Sequence, residues 1–413
     1  MPTEERASLK PTDRGAFETG RYRNLFVESD HSADEVMAKI RDAYDRLFHG
    51  DPADQAVMFA DGANERGPLA YVKDVANNNV CSEGMSYGLM ISVQLDRKDD
   101  FDALWNWARL HMHHADAAHP CHGYFSWLVL PDGTVADELP APDGEEYMAM
   151  ALFFAAHRWG DGEGIYDYST EARRLVDIMK NRVPITGPIQ KKERKTVVAL
   201  FNPDVKIVRF SPDTNNFRIN GDHTDPSYHL PAFYELWARW GPAKDREFWR
   251  AAASVSRDFF VKAAHPMTAL TPDYADFDGS PKAASWDEGT ANFRYDAWRT
   301  AINWSMDSAW WAKDPRQHDL SDRLLAFFES QGPLYGSVFT LDGETINADH
   351  SPGLVAANAV ACLAATHARA RHFVEELWAT RVPSGVTRYF DGMLYLMSLL
   401  HVSGNFRIHA PAT

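Results

Sequence analysis

Residues 146–160 read EYMAMALFFAAHRWG. The run is too long for one strand and is apolar on nearly every side, so it predicts a helix buried on most of its surface. Residues 353–367, GLVAANAVACLAATH, read the same way. Other segments are one-sided. STEARRLVDIMKNR at 169–182 is amphipathic and belongs on the outside. SADEVMAKIRDAYDRLFHG at 32–50 puts Val36, Ile40, Ala43 and Leu47 on one face and ends on Gly50, a helix stop signal.

Helical periodicity extends along the whole chain. It predicts twelve helices, at about 33–49, 82–95, 99–114, 146–160, 169–183, 227–241, 243–265, 295–311, 317–331, 353–366, 368–380 and 389–404. The connections between them alternate in length. Short ones lie near 96–98, 161–168, 242, 312–316 and 367, and long ones at 50–81, 115–145, 184–226, 266–294 and 332–352. In an up-and-down array, alternate connections emerge at the same end, so all five long loops are expected on one face. Loops longer than about 15 residues in a compact domain usually carry function. Within one of them, TVVALFNPDVKIVRF at 196–210 reads as a small hairpin around an Asn-Pro-Asp turn. Neither βαβ alternation nor a glycine-rich phosphate loop occurs. The expected fold is all-α, a single domain over 1–413 of six helical hairpins closing into a double ring. Periodicity does not establish closure, and an open helical solenoid is the rival.

Composition narrows the function. The chain has 413 residues, 45% hydrophobic and 24% charged, with a net charge of -16. That charge argues against nucleic acid or an anionic membrane as partner. The one dense basic run, KKERK at 191–195, reads as a solvated loop. Three cysteines, Cys81, Cys121 and Cys362, are too few and too scattered for a disulfide framework or a zinc module. The histidines around HMHH at 111–114, with His119 and His122, lack an HExxH pattern and read as ordinary surface or core residues, so no metal and no cofactor is expected. The start, MPTEERASLKPTDRGAF, has no apolar core for a signal peptide, and no run is long enough to span a bilayer, so a soluble cytoplasmic protein is expected. The 13 Trp and 15 Tyr suit a groove for sugar rings, whose C–H faces pack on aromatic planes.

The long loops end in polar residues at helix starts: Glu83 in NNNVCSEGMSYGLM, Asp143 in PAPDGEEYMAM, Asp225 in HTDPSYHLPAFYEL, Asp296 in FRYDAWRTAINW and His350 in NADHSPGLVAANA. The loop argument puts all five on one face. Glycosidic cleavage needs such a mouth of carboxyls, one to protonate the leaving oxygen and one to activate water or attack. Each also has a structural reading. Acidic residues cap helix N-termini, and Asp225 before Pro226 or Asp143 ahead of Glu146 suits that role. Asp296 lies near Arg294 and Arg299, which would make a local ion pair. Glu83, among small residues at a glycine-bearing helix start, fits a purely structural role least.

SEGMSYGLMISVQLDRKDDFDALWNWA, from Ser82, resembles the acid-bearing segment of glycoside hydrolase family 8, nearest its reducing-end xylose-releasing exo-oligoxylanases. TGRYRNLF, GYFSWLVLPDGT, APDGEEYMAMALFFAAHRWGDG, DPSYHLPAFYELW and RYFDGMLYLMSLLHVSGNF carry the resemblance, in order, along nearly the whole chain. It implies an (α/α)6 barrel and an inverting hydrolase of β-1,4-xylo-oligosaccharides. It implies Glu83 as proton donor, Asp296 as the base that activates water, and Asp143 as the residue that holds the distorted sugar. His350 resembles the histidine of a loop that closes the aglycone side, while Trp127 and Tyr228 would line the groove. Tyr87 and Asp225 join them as expected substrate-binding residues. Residues 349–352 read Asp-His-Ser-Pro where the exo subgroup has a Leu-His-Pro arrangement. An endo-acting family 8 enzyme on xylan, β-glucan or chitosan therefore stays open, as does a non-catalytic sugar-binding or scaffold protein.

Overall fold

The computed structural model describes residues 11–190 and 193–411. The first ten residues, part of the N-terminal stretch read above, and Lys191 and Lys192 of the basic run lie outside them. All twelve expected helices are present: α1 (Ala33–His49), α2 (Ser82–Gln94), α3 (Lys98–His111), α4 (Pro142–Trp159), α5 (Tyr168–Asn181), α6 (Pro231–Trp240), α7 (Arg246–Ala263), α8 (Asp296–Trp311), α9 (Arg316–Gln331), α10 (Pro352–Ala361), α11 (Ala370–Ala379) and α12 (Arg388–Val402).

The even-numbered helices form the inner layer. In α4 every residue from Pro142 to Ala155 is buried, and in α10 every residue from Gly353 to Ala361. The odd-numbered helices are one-sided and lie outside. In α1 the buried residues are Val36, Ile40, Ala43, Tyr44, Leu47 and Phe48. Its start is fixed by a reciprocal cap, in which Ser32 Oγ accepts from Glu35 N at 3.2 Å and Glu35 Oε2 accepts from Ser32 N at 2.9 Å.

Each inner helix packs on the outer helix that follows it, and α12 packs on α1. Round the inner ring, α2 meets α4, α6 meets α8, α8 meets α10 and α10 meets α12. The step from α4 to α6 is bridged by side chains: Tyr147 lies edge-on to Phe233, and the Tyr234 hydroxyl donates to Glu146 at 2.7 Å. Contact of α12 with α2 closes the ring, so the fold is the (α/α)6 barrel and not a solenoid. The short connections sit at one end. The long ones gather at the other, where all six inner helices start.

Within the long loops the strand pattern differs from expectation. Residues 196–210 pair with one another only at Phe201 and Val208, around a turn closed by Asn202 N donating to Ile207 O at 2.9 Å. The regular hairpin lies earlier, Ile185–Ile189 against Glu193–Val197. Pro188 and the charged residues 193–195 had masked it as a solvated loop. No helix among the described residues is long and apolar enough to cross a membrane.

Away from the long loops, buried charge ties the two layers together. Arg257 of α7 donates to both oxygens of Asp307 on α8, at 2.8 and 2.7 Å, and to Glu235 of α6 at 3.1 Å. Gln317 of α9 adds a third bond to Asp307 at 2.7 Å. Removing one side of such a pair strands the other in a poor solvent. Asp307→Ala is expected to lower unfolding stability by about 3 kcal/mol. Denaturant titration checks this; a loss below about 1 kcal/mol, typical of an exposed pair, would mean that water reaches the pair.

Candidate active site

Two glycines set the spacing at the loop-rich face. A Cβ on Gly144 would fall 2.7 Å from Ser82 Oγ, and one on Gly84 would fall 2.6 Å from the Tyr389 hydroxyl. The starts of α2 and α4 therefore meet in direct contact. Glu83 and Asp143, each second in its helix, come within electrostatic reach of one another. Here the small residues around Glu83 find their physical reason.

Glu83 Oε1 accepts from Trp127 Nε1 at 3.0 Å, and Ser82 Oγ donates to Oε2 at 3.3 Å. A helix N-terminus would lower its pKa, yet burial and the neighbouring Asp143 carboxylate outweigh that and push it up to about 8. Across the site, Asp296 is the first residue of α8. It keeps about a third of its side chain open, 36%, and its Oδ1 takes an ion pair from Arg299 at 2.8 Å. The two carboxyls thus meet opposite environments in one groove. Tyr295, just before Asp296, holds φ +30° and ψ -92°, a conformation rare for a bulky residue that costs ~1–3 kcal/mol.

Arg299 joins the two sides. Its guanidinium pairs with Asp143 Oδ2 at 2.5 Å as well as with Asp296, and donates to the Tyr87 hydroxyl at 2.7 Å. The local ion pair expected of Asp296 is therefore real, but it continues into the barrel. Arg294 turns away to Asp273 at 2.9 Å and Asp287 at 2.8 Å. Sequence reasoning saw only an arginine three residues along the helix; nothing in the pattern signalled the reach to Asp143.

Glu83, Asp296, Trp127 and Tyr228 line a cavity of about 480 Å³ together with Phe210, Tyr274 and Trp286. Polar groups including Lys195, Asp213 and Asn216 form part of its wall. Phe210, Tyr274 and Trp286 were missed because single aromatics inside loops carry no periodic signal.

Four expected site residues are not on the cavity wall. Asp143 and Tyr87 lie beneath it, turned to Arg299. Asp225 does not start α6; it caps the turn Pro226–Tyr228, accepting from Ser227 N at 2.7 Å, while α6 begins only at Pro231. His350 makes its own set of contacts. Its Nδ1 donates to the Tyr335 carbonyl at 2.9 Å, its ring stands edge-on to Tyr335, and its Nε2 lies 3.6 Å from Glu376. It is not among the residues that line this cavity. Nor does it cap α10, because Ser351 Oγ takes the Gly353 N–H at 3.1 Å. In the histidine-rich segment, His114 and His119 stack in parallel at 4.3 Å, and together with Cys121 they bring three possible metal-ligand atoms within 4.8 Å of one another.

The family model described as Glycosyl hydrolases family 8 matches residues 58–404. The reducing-end xylose-releasing exo-oligoxylanase Rex8A of Paenibacillus barcinonensis is 39% identical over 96% of this chain and 99% of its own length. A reducing end xylose-releasing exo-oligoxylanase of Halalkalibacterium halodurans is 39% identical over 98% of both chains. Among solved structures, a catalytic mutant of a family 8 xylanase from Teredinibacter turnerae in complex with xylohexaose aligns over 96% of this chain and 100% of its own, with TM-score 0.94 and 52% identity.

Under the site lie two buried acids. Glu145 accepts from Phe125 N at 2.9 Å and Glu146 from the Tyr234 hydroxyl at 2.7 Å. Burial raises both well above the ordinary 4.5. Such a group favours the folded state fully below pH 4.5, and the benefit is lost as pH rises toward its raised value, because only the unfolded chain ionises readily. Stability should therefore fall as pH climbs from 4.5 through neutrality, and Glu146→Gln should flatten that slope. Melting temperatures across pH check it; an unchanged slope in the variant would mean that Glu146 is ionised in the fold.

Proposed function

The chain belongs to glycosyl hydrolase family 8, and we propose that it releases xylose from the reducing end of β-1,4-xylo-oligosaccharides with inversion at the anomeric carbon. The observation that carries this reading is the unequal pair in one groove: Glu83, kept protonated by burial, and Asp296, open to water and held by Arg299.

In this reading Glu83 donates its proton to the glycosidic oxygen as the C–O bond breaks. Asp296 takes a proton from a water molecule that attacks the anomeric carbon from the other side. The leaving sugar keeps the proton of Glu83, Asp296 keeps that of water, and both carboxyls re-equilibrate with solvent. Asp143, fixed by Arg299 beneath the groove, helps Glu83 keep its proton, and Trp127 and Tyr228 wall the groove. Two carboxyls suffice for this displacement, so it calls for no cofactor. A cytoplasmic setting, with short imported oligosaccharides as substrate, completes the reading.

One observation favours a second reading. Identity to the Teredinibacter turnerae xylanase is 52%, against 39% to either exo-oligoxylanase. An endo-acting enzyme on xylan would fit this. Xylotetraose labelled at the reducing end separates the two: labelled xylose as the first product supports the exo reading, and labelled xylobiose the endo reading.

Glu83→Gln and Asp296→Asn are each expected to lower kcat by ~10²–10⁴-fold while the protein stays folded. Near-normal turnover in either would remove that residue from its role. NMR of the first product should show the α-anomer, and an initial β-anomer would overturn inversion. The wild-type rate should decline as pH rises through about 8, where Glu83 loses its proton.

A further inference from the structure

A file of aromatic rings leads out from the carboxyls. Tyr228, next to them, lies nearly parallel to Phe210, with centroids 6.3 Å apart and planes 8° apart. Phe210 in turn stacks on Trp286 at 5.9 Å and 28°. Trp286 is 54% exposed although it borders the cavity. A tryptophan left open at the edge of a groove, backed by further rings, offers a flat apolar face without a partner of its own.

Opposite hydrogen-bonding chemistry sits beside it. Asn216, on the short helix Thr214–Asn220, also lines the cavity. Its Oδ1 accepts from Asn220 Nδ2 at 2.8 Å, which fixes the amide so that its Nδ2 is the free donor, and that Nδ2 is buried without a protein partner. Asn220 Oδ1 then accepts from Ser285 N at 2.9 Å, the residue before Trp286. The short helix and the tryptophan loop are thus tied into one clamp, apolar on one side and donating on the other. The net charge on the wall is acidic, with Glu193, Asp213 and Asp296 against Lys195, so a uronic acid is disfavoured and a neutral ring suits it.

We propose that Trp286 and Asn216 form a distal subsite for a neutral sugar ring, two ring spacings out from Tyr228, that selects for longer oligosaccharides. The inference rests on the family 8 hydrolase reading and adds the length preference to it. Trp286 supplies the stacking plane and Asn216 Nδ2 donates to a ring hydroxyl. Binding energy gained so far from the bond being cleaved is expressed in kcat/KM for substrates long enough to reach it.

The test compares xylotriose with xylohexaose, and cellotriose with cellohexaose, for the wild type, Trp286→Ala, Trp286→Phe and Asn216→Ala. In Trp286→Ala the six-unit to three-unit ratio of kcat/KM should fall on the order of tenfold, the value of a lost aromatic contact of about 1.4 kcal/mol. Trp286→Phe should restore part of it, and Asn216→Ala should lower it less. Equal losses on both lengths, or none, in folded Trp286→Ala would overturn the subsite. A wild type that cleaves the gluco series and not the xylo series would overturn the substrate assignment, with the length ratio then read on the gluco series. Activity on neither series would overturn both.

Discussion

One guanidinium holds the site together. Arg299 reaches from the first turn of α8 to Asp143 at the start of α4, while gripping Asp296 on its own helix. Without that charge, acids at the starts of α2, α4 and α8 would repel one another in a poor solvent, and the ring of helices would have to open to let water between them. With it, Asp143 and Asp296 share a positive partner, while Glu83, buried and without an ion pair of its own, keeps its proton. The division of labour between acid and base thus follows from the distribution of one positive charge, before any substrate is present.

That arrangement depends on helix spacing, which in turn depends on small side chains. Gly144 against Ser82 lets α2 and α4 start in contact, and Gly84 against Tyr389 does the same for α2 and α12. Larger residues there would separate Glu83 from Asp143 and lower the electrostatic pressure on Glu83. The strained backbone at Tyr295 does similar work on the far side, because it turns the chain sharply into α8 with Asp296 as the first residue.

Much of this was legible in the amino-acid pattern. Helix periodicity located all twelve helices, and α4 and α10, apolar all round, marked the inner layer. Alternation of loop length put the five polar residues at one end. What escaped has a common cause: it depends on distance in space with no trace in local order. Closure is made by α12 on α2, residues some three hundred positions apart, and no periodicity encodes that meeting. The expected start at 227 fell four residues early, since Asp225 caps a separate turn and the helix begins at Pro231, and Ser351 does the capping for which His350 was considered. Phe210 and Trp286 belong to loops, where an isolated ring looks the same whether it fills a core or faces a ligand.

The separation of long connections from short ones carries a thermodynamic consequence. Closing a flexible loop becomes harder only logarithmically with its length, so a doubling costs about 0.6 kcal/mol. The five long connections on one face can lengthen, shorten or be rebuilt at that small entropic cost, while the helices that anchor them keep their contacts. Chain-end selectivity, groove length and side-chain tolerance are all written in those loops. A barrel of this kind can therefore change what it cuts, and where along a polymer it cuts, at little expense to whether it folds.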